Sequence, residues 1–335
     1  MRQISIKAPG GLDNLVLSDA PEAEAPKAGE ITVRLHATSL NFHDYMVASR
    51  ENAAADGRIP MADGAGEVTA VGDGVTDVGV GDRVVSCFFP DWQDGAFRPS
   101  DFSRVPGDGL DGYARESVTL PASWVTHAPE GWSHAEAATI TTAGLTAWRA
   151  LVVDGGLKPG DTVAVLGTGG VSIYALQIAK AMGARVIATS SSDAKLERLR
   201  ELGADHVINY RDTPEWGAEM QRLTGGRGVD IVVEVGGPAT LEQSITAGRP
   251  GAHLALIGIL TGISGEIPTA NLMRKQQRLQ GLIVGSRKHQ QDFVAALETL
   301  AIRPVVDRTF DLADLADAFR LQESGDHFGK ICVTM

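Results

Sequence analysis

The ten residues Val163–Ser172, VAVLGTGGVS, constrain this chain more than any others. An apolar run, Val163–Leu166, breaks at Gly167. A segment at Ser172–Met182 then carries Ile173, Leu176, Ala179 and Met182 at helical spacing. A strand that passes through glycines straight into a helix needs a tight turn, which Gly167 permits. Gly169 lets backbone come close to a ligand, and the helix start offers unpaired N–H groups and the positive end of its dipole. A pyrophosphate suits such a cradle, so Gly167, Thr168, Gly169, Gly170 and Val171 are expected to hold a dinucleotide. The third glycine of the usual pattern is Ser172 here, small but not Gly.

Beyond the turn, short apolar runs alternate with amphipathic segments. Strands are expected at Arg185–Ala188, His206–Asn209, Ile231–Val235 and His253–Ile257. Helices are expected at Asp193–Leu202 (Ser192 as N-cap, Gly203 past its end), Pro214–Leu223 and Thr240–Ala247. Alternation of this kind implies an α/β fold with a doubly wound parallel sheet. Gly236, Gly258 and Gly285 are expected where strands end at the carboxyl side of that sheet, the ligand-binding side, and with Ile283 are candidate cofactor contacts.

The second strand bears on which nicotinamide is bound. An acidic residue about 20 positions after the first glycine marks an NAD site, because it binds the ribose hydroxyls. The chain has Thr189, Ser190 and Ser191 there, which leave room for a 2′-phosphate and can hydrogen-bond to it. Lys195 and Arg211 are candidate cations, while Asp193 is assigned to the first turn of the next helix. NADP(H) is therefore expected over NAD(H).

Residues 1–125 read differently, as β-structure. Glu30–Leu35 and Glu67–Val71 are strand-like pieces separated by Gly and Pro turns, and Phe88–Arg115 is a long loop punctuated by Gly, Pro and Asp. Phe88, Phe89 and Trp92 on that loop would form an apolar substrate wall or simply anchor it. The tail from Arg303 ends in an expected strand, Ile331–Thr334, which finishes the second domain or returns to the first.

Composition narrows the partners. A chain of 335 residues is long enough for two cores. A net charge of −12 argues against nucleic acid and anionic membrane surfaces. No apolar run approaches the ~20 residues needed to span a bilayer, and the start shows no secretory pattern. Cys87 and Cys332 are too few for a disulfide framework or a cysteine-only zinc lobe, and each is expected as a buried, inert thiol. A cytoplasmic enzyme acting on a small molecule is the resulting expectation.

Several stretches, in this order along the chain, carry a family resemblance: NFHDYMV (41–47), DGAGEVTAVGDGV (63–75), VGDRVV (80–85), TAGLTAW (142–148), the long segment 158–210, GGRGVDIVVEVGG (225–237) and HFGKICV (327–333). The chain resembles the medium-chain dehydrogenase/reductase superfamily, in particular its zinc-lacking alcohol-dehydrogenase-like and quinone-oxidoreductase-like members. The resemblance implies a GroES-like β-rich catalytic domain (1–125, completed by 290–335) and a Rossmann NADP-binding domain (126–289), with the active site between them. It also implies a homodimer built on an edge strand, for which Leu279–Val284 is the candidate.

Departures from the pattern matter as much. Zinc-dependent relatives carry Cys where this chain has Asn41, a His-Glu pair where it has Ala62-Asp63, and Cys where it has Thr142. Asn, Ala and Thr do not supply the thiolate or imidazole that zinc takes, so no metal is expected. Asn41 is then the candidate for orienting nicotinamide, ribose or substrate oxygen. Tyr45 or His43 is the candidate proton donor, with Asp44 anchoring a local network. Thr142 is expected to open a helix and either touch substrate or nicotinamide or serve as an N-cap. Tyr210 and Arg211 lie where relatives flank the adenosine, and Lys330 is a late cofactor contact or a surface charge. The expected function is zinc-independent, NADPH-dependent reduction of a quinone or an activated C=C bond (enone or enal). A metal-free NADP-linked alcohol dehydrogenase or carbonyl reductase and a non-catalytic NADPH-binding protein are the alternatives.

Overall fold

The computed structural model describes residues 1–97 and 102–335, so residues 98–101 of the long loop lie outside the described residues. The chain divides into two compact units. One comprises Met1–Leu145, Val284–Thr299 and Arg303–Met335; the other comprises Thr146–Ile283 with Leu300–Ile302.

In the first unit, β1 (Arg2–Ile6) and β2 (Leu15–Asp19) form an antiparallel pair. The main sheet contains β3 (Glu30–Ser39), β4 (Ala65–Val71), β5 (Arg83–Ser86), β6 (Ser117–Pro121) and β7 (Val125–His127). The tail adds β14 (Val306–Asp311) and β15 (Lys330–Thr334) in the order β14-β15-β3-β4-β5-β7, with β6 also on β3. The tail therefore returns to the first unit: Cys332 sits opposite Ser39 and Thr334 opposite Ala37. Alternation in β3 explains its register. Ile31 and Val33 face Leu120 and Val118 on β6, and they pack with Val68, Val84 and Val125 into one core. A second core joins Ile4, Ile6, Val47, Met61, Phe319, Ile331 and Val333. The helices of this unit are α1 (Phe42–Ser49), α2 (His134–Ala138), α9 (Arg287–Leu300, whose last residue belongs to the other unit) and α10 (Leu315–Ser324).

The second unit carries six parallel strands: β8 (Thr162–Leu166), β9 (Arg185–Ser190), β10 (His206–Asn209), β11 (Val229–Glu234), β12 (Gly248–Leu256) and β13 (Arg278–Gly281). Their order is β10-β9-β8-β11-β12-β13. Between them run α4 (Gly170–Ala181), α5 (Asp193–Glu201), α6 (Trp216–Leu223), α7 (Pro238–Ala247) and α8 (Thr269–Arg274), preceded by α3 (Leu145–Trp148) at the boundary of the units. Every residue of β8 and of β11 is buried, as expected for strands covered on both faces. The strand order reverses beside β8, which places a crevice at the carboxyl ends of the strands flanking Gly167.

Ser192 caps α5, accepting a hydrogen bond from the Lys195 amide, and Gly203 follows with φ of 97°. The helix expected from Pro214 starts at Trp216, because Glu215 has a non-helical ψ of 44°. Two further expectations need correction. Thr142 does not open a helix: Ser133 caps α2, and Thr142 lies inside a π-helical turn, Ile140–Gly144, that continues from it. Gly285 does not end a strand either, since β13 stops at Gly281. The candidate edge segment Leu279–Val284 begins in β13, which does stand at the end of the sheet order, but its last three residues are outside the strand.

Candidate functional site

Three elements of the first unit converge on one buried polar cluster: the end of β3, the start of α1 and the turn before β4. Asn41 is the N-cap of α1, and its backbone N–H donates to Asp44 Oδ2 at 3.0 Å. The Asn41 side-chain amide donates to Asp44 Oδ2 at 3.0 Å, to Asp63 Oδ2 at 2.9 Å and to the Ser39 carbonyl at 3.2 Å. Its oxygen accepts from Lys330 Nζ at 2.6 Å, and the same ammonium donates to the Leu40 carbonyl at 2.5 Å. Lys330 is thus not a surface charge: it starts β15 and is buried.

Asp63 is the hub. Its Oδ2 accepts from Ser39 Oγ at 2.5 Å and lies 3.7 Å from the Lys330 ammonium; its Oδ1 accepts from Thr142 Oγ1 at 2.6 Å. The side chains of Asp63 and Lys330 are 0% and 4% exposed, so this ion pair is almost wholly removed from water. A second carboxylate stands beside it. Asp44 Oδ1 accepts from the Ala62 amide at 2.8 Å. Burial holds its pKa above the ordinary aspartate value, with the Asp63 charge adding to the rise and His43 opposing it. Asp63 therefore faces the ammonium while Asp44 is held by neutral donors from Asn41 and Ala62, which is how such groups are tolerated away from water.

Backbone strain marks the same place. Met61, fully buried and one residue before Ala62, has φ of 82°, a conformation that a side chain other than glycine adopts at a cost of roughly 1–3 kcal/mol. The π-helical turn that aims Thr142 at Asp63 is the second irregularity here, and such turns concentrate at functional sites.

The structure brings Asn41, Thr142 and Lys330 together but takes Tyr45 elsewhere. The Tyr45 hydroxyl donates to Glu323 Oε1 at 2.5 Å and its ring tilts against Phe319. That bond raises the phenol's pKa above its ordinary value. The Tyr45 hydroxyl is thereby engaged at α10, apart from the cluster around Asp63. His43 faces a different surrounding: its Nε2 lies 3.1 Å from Asp108 Oδ2, and its ring stacks on Phe102 and meets Phe88 edge-on. Phe88, Phe89 and Trp92 are buried in one aromatic cluster whose more exposed members are Phe97 and Phe102. Asp108, Ser39 and the hub role of Asp63 were not assigned from sequence. Asp63 stands where zinc-dependent relatives carry a ligand, which was a usable signal; Asp108 sits in an irregular loop and gave none.

In the second unit the glycine turn leads into α4. Gly167 has φ of 72°, and α4 starts after Gly169 with no side chain capping it. A Cβ added at Gly167 or Gly169 would meet nothing within 4 Å, so open space lies over the free amides at the helix start. Thr168 and Val171 flank that turn. The phosphate side is narrower than expected. Thr189 and Ser190 are buried, and Ser190 Oγ accepts from the Ser192 amide, leaving Ser191 and Lys195 as the partly exposed members of the set. Asp193 is engaged by Asn209 at 2.8 Å, which ties it to the end of β10. Tyr210 and Arg211 are exposed just past that end. Gly236 and Gly258 follow β11 and β12 closely, and a Cβ on Gly258 would lie 1.9 Å from the Val235 carbonyl. Ile283 is half exposed at the end of this unit. Gly285, in the first unit, packs against Leu145. Among the described residues no group of three or more His, Cys, Asp or Glu side chains is placed to hold a metal ion. Cys87 and Cys332 are buried, and burial pushes both thiols up to about 12.

Two family models match the chain: alcohol dehydrogenase GroES-like domain over residues 27–130, and zinc-binding dehydrogenase over residues 170–301. A zinc-type alcohol dehydrogenase-like protein of Schizosaccharomyces pombe is 38% identical over 96% of this chain and 95% of its own length. Among solved structures, a protein of Sinorhizobium meliloti 1021 provisionally named an alcohol dehydrogenase is 39% identical with a TM-score of 0.92, covering 100% of this chain and 98% of that one. A mycobacterial protein solved in complex with NADPH is 27% identical with a TM-score of 0.82, covering 100% of this chain and 100% of that one.

Proposed function

The chain belongs to the medium-chain dehydrogenase/reductase superfamily, a family of NAD(P)-dependent oxidoreductases, and on that footing we propose that it reduces quinones or activated C=C bonds with NADPH and without zinc. The observation that carries this reading is the closed state of Asp63. Zinc takes thiolate, imidazole or carboxylate ligands. The four positions that hold its ligands in zinc-dependent relatives are here an amide, a methyl, a carboxylate and a hydroxyl. The one carboxylate already accepts three hydrogen bonds and faces a lysine ammonium. This donor set does not fit zinc.

Removal of the Lewis acid limits the substrate. Reducing an isolated carbonyl develops an alkoxide, which a metal would stabilise directly. Conjugate reduction of an enone, enal or quinone develops a delocalised enolate or quinolate, a weaker base that hydrogen-bond donors can stabilise. NADPH supplies hydride when bound. Gly167, Thr168, Gly169, Gly170 and Val171 would hold its pyrophosphate, Ser191 and Lys195 its 2′-phosphate, and Tyr210 its adenosine. Asn41, Lys330 and the half-buried Thr142 are held in fixed positions by the hydrogen bonds around Asp63, so that the dipoles of the first unit need not rotate as charge develops.

The competing reading is a metal-free, NADP-linked alcohol dehydrogenase or carbonyl reductase; the names of the relatives favour it. We also assign a homodimer, supported by the terminal place of β13 in its sheet and by Leu260, Ile263 and Met273, which are exposed in the same unit. The proposal is tested by turnover after exhaustive chelation. Quinone or enone reduction at the untreated rate, with less than a tenth of an equivalent of zinc by elemental analysis, supports it. Activity lost on chelation and restored by zinc would overturn it.

A further inference from the structure

His43 and Asp108 form a pair that the polar hub around Asp63 does not use. His43 is on α1, and Asp108 is on the turn Val105–Leu110, 65 residues further on. The turn is held firmly. Gly107 N–H donates to the Leu110 carbonyl at 2.8 Å, and the amides of Gly112 and Tyr113 donate to the carbonyls of Ile59 and Met61. Gly107 itself has φ of 86°, and a Cβ there would lie 2.7 Å from the Met61 amide. Asp108 is thus fixed against the strained segment that leads into Ala62 and Asp63.

The imidazole is gripped on three sides. Phe102 stacks on one face at 5.4 Å between centroids, Phe88 approaches edge-on at 5.3 Å, and Asp108 Oδ2 lies 3.1 Å from Nε2. The remaining ring nitrogen, Nδ1, is buried and has no hydrogen-bond partner among the described residues. A buried polar atom without a partner is uncommon and calls for an explanation. One nitrogen held by a carboxylate and the other left open is the arrangement of a general acid–base. Among the described residues, the charged groups that face the ring are Asp108 across it and Asp44 on its own helix.

We propose that Asp108 is a positioning residue that fixes His43 with its proton on Nε2, so that Nδ1 is the atom that exchanges a proton with substrate. The inference rests on the reductase reading above. In the neutral ring Nε2–H donates to Asp108 and Nδ1 carries the lone pair; in the imidazolium Nδ1–H is the bond that breaks. Its proton passes to the enolate or quinolate left by hydride addition, forming a C–H or O–H bond. The electron pair of Nδ1–H stays on nitrogen, so the ring becomes neutral as the substrate anion is neutralised, and solvent returns the proton. The aromatic rings that grip His43 favour a flat or apolar acceptor beside it.

The test is made on full-length protein with ¹⁵N-labelled histidine, His43 being assigned by the signal lost in His43→Gln. In the neutral wild type the ring nitrogens are expected to report the Nε2–H tautomer, and Asp108→Asn is expected to convert it to a mixture. Asp108→Glu, which keeps the carboxylate, is expected to retain the tautomer and guards against a variant that fails to fold. In turnover, Asp108→Asn is expected to lower kcat by about 10- to 100-fold. KM for NADPH is expected to stay within about twofold, and the solvent deuterium isotope effect on kcat to rise. An Nδ1–H tautomer in the wild type, or one unchanged in Asp108→Asn, would overturn the pairing. So would an unchanged kcat and isotope effect in Asp108→Asn. A wild type that reduces no acceptor fails the reductase reading instead, and the tautomer measurement, made on free protein, still decides the role of Asp108.

Discussion

Lys330 shows how far a single residue's role departs from its usual habit. Lysine is almost never fully buried unless paired; here its ammonium is shared among the Leu40 carbonyl, Asn41 Oδ1 and Asp63. Breaking a buried pair by removing one partner costs about 3–5 kcal/mol, because the other charge is left uncompensated. Lys330→Met is therefore expected to lower the urea midpoint strongly, and the double variant Lys330→Met, Asp63→Leu to recover a large part of that loss. Thr142→Val removes one donor from Asp63 without changing the shape of the site, and about 1–3 kcal/mol of destabilisation is expected in the same measurement. These roles were half legible in the sequence. The motifs that hold Asn41, Thr142 and Lys330 mark these residues, but the sequence carries no sign that they meet at Asp63. The contact of Tyr45 is illegible for a related reason: its partner, Glu323, lies 278 residues away, a distance over which local spacing says nothing.

At the scale of elements, the proposed phosphate cradle at the start of α4 is testable apart from folding. Gly169 has ordinary helix-entry geometry, with φ of −75°, and open space where a Cβ would go. Gly169→Ala should leave stability within about 0.5 kcal/mol of the parent. The added methyl would stand over the phosphate cradle, so the Kd for NADPH, read by fluorescence titration, is expected to rise by about tenfold or more. The strand β12 carries a pH dependence. His253 is buried there, its Nδ1 accepts from Arg278 Nε at 3.1 Å, and burial followed by the Arg278 charge lowers its pKa to about 4 from the ordinary 6.5. The unfolded chain then binds the proton first as pH falls. The stability that depends on neutral His253 is intact above pH 6.5 and is lost progressively down to about 4. A loss on the order of 2–3 kcal/mol across that window is expected in denaturant melts, and His253→Gln should flatten it. Periodicity made most of these elements legible, because strands covered on both faces and helices with one apolar stripe have distinct repeats. The π-helical turn at Thr142 has no such repeat, and β13 is too short and half-exposed to announce where it ends.

For the whole molecule, order along the chain carried the most information. The matching stretches run from residue 41 to residue 333 in the family's sequence, and the strands they encode assemble into the expected GroES-like and Rossmann folds. What stayed illegible were contacts set by the tertiary fold alone, chief among them the burial of Lys330 and the Asp108 loop against His43. A dimer through β13 predicts a light-scattering mass twice that of the chain. The central claim is conjugate hydride addition without a metal, and product identity tests it most directly. Chelator-treated protein is incubated with NADPH and an α,β-unsaturated aldehyde, and the product is identified by NMR. The saturated aldehyde is predicted, with hydride on the β-carbon; the allylic alcohol, with hydride on the carbonyl carbon, would contradict the account.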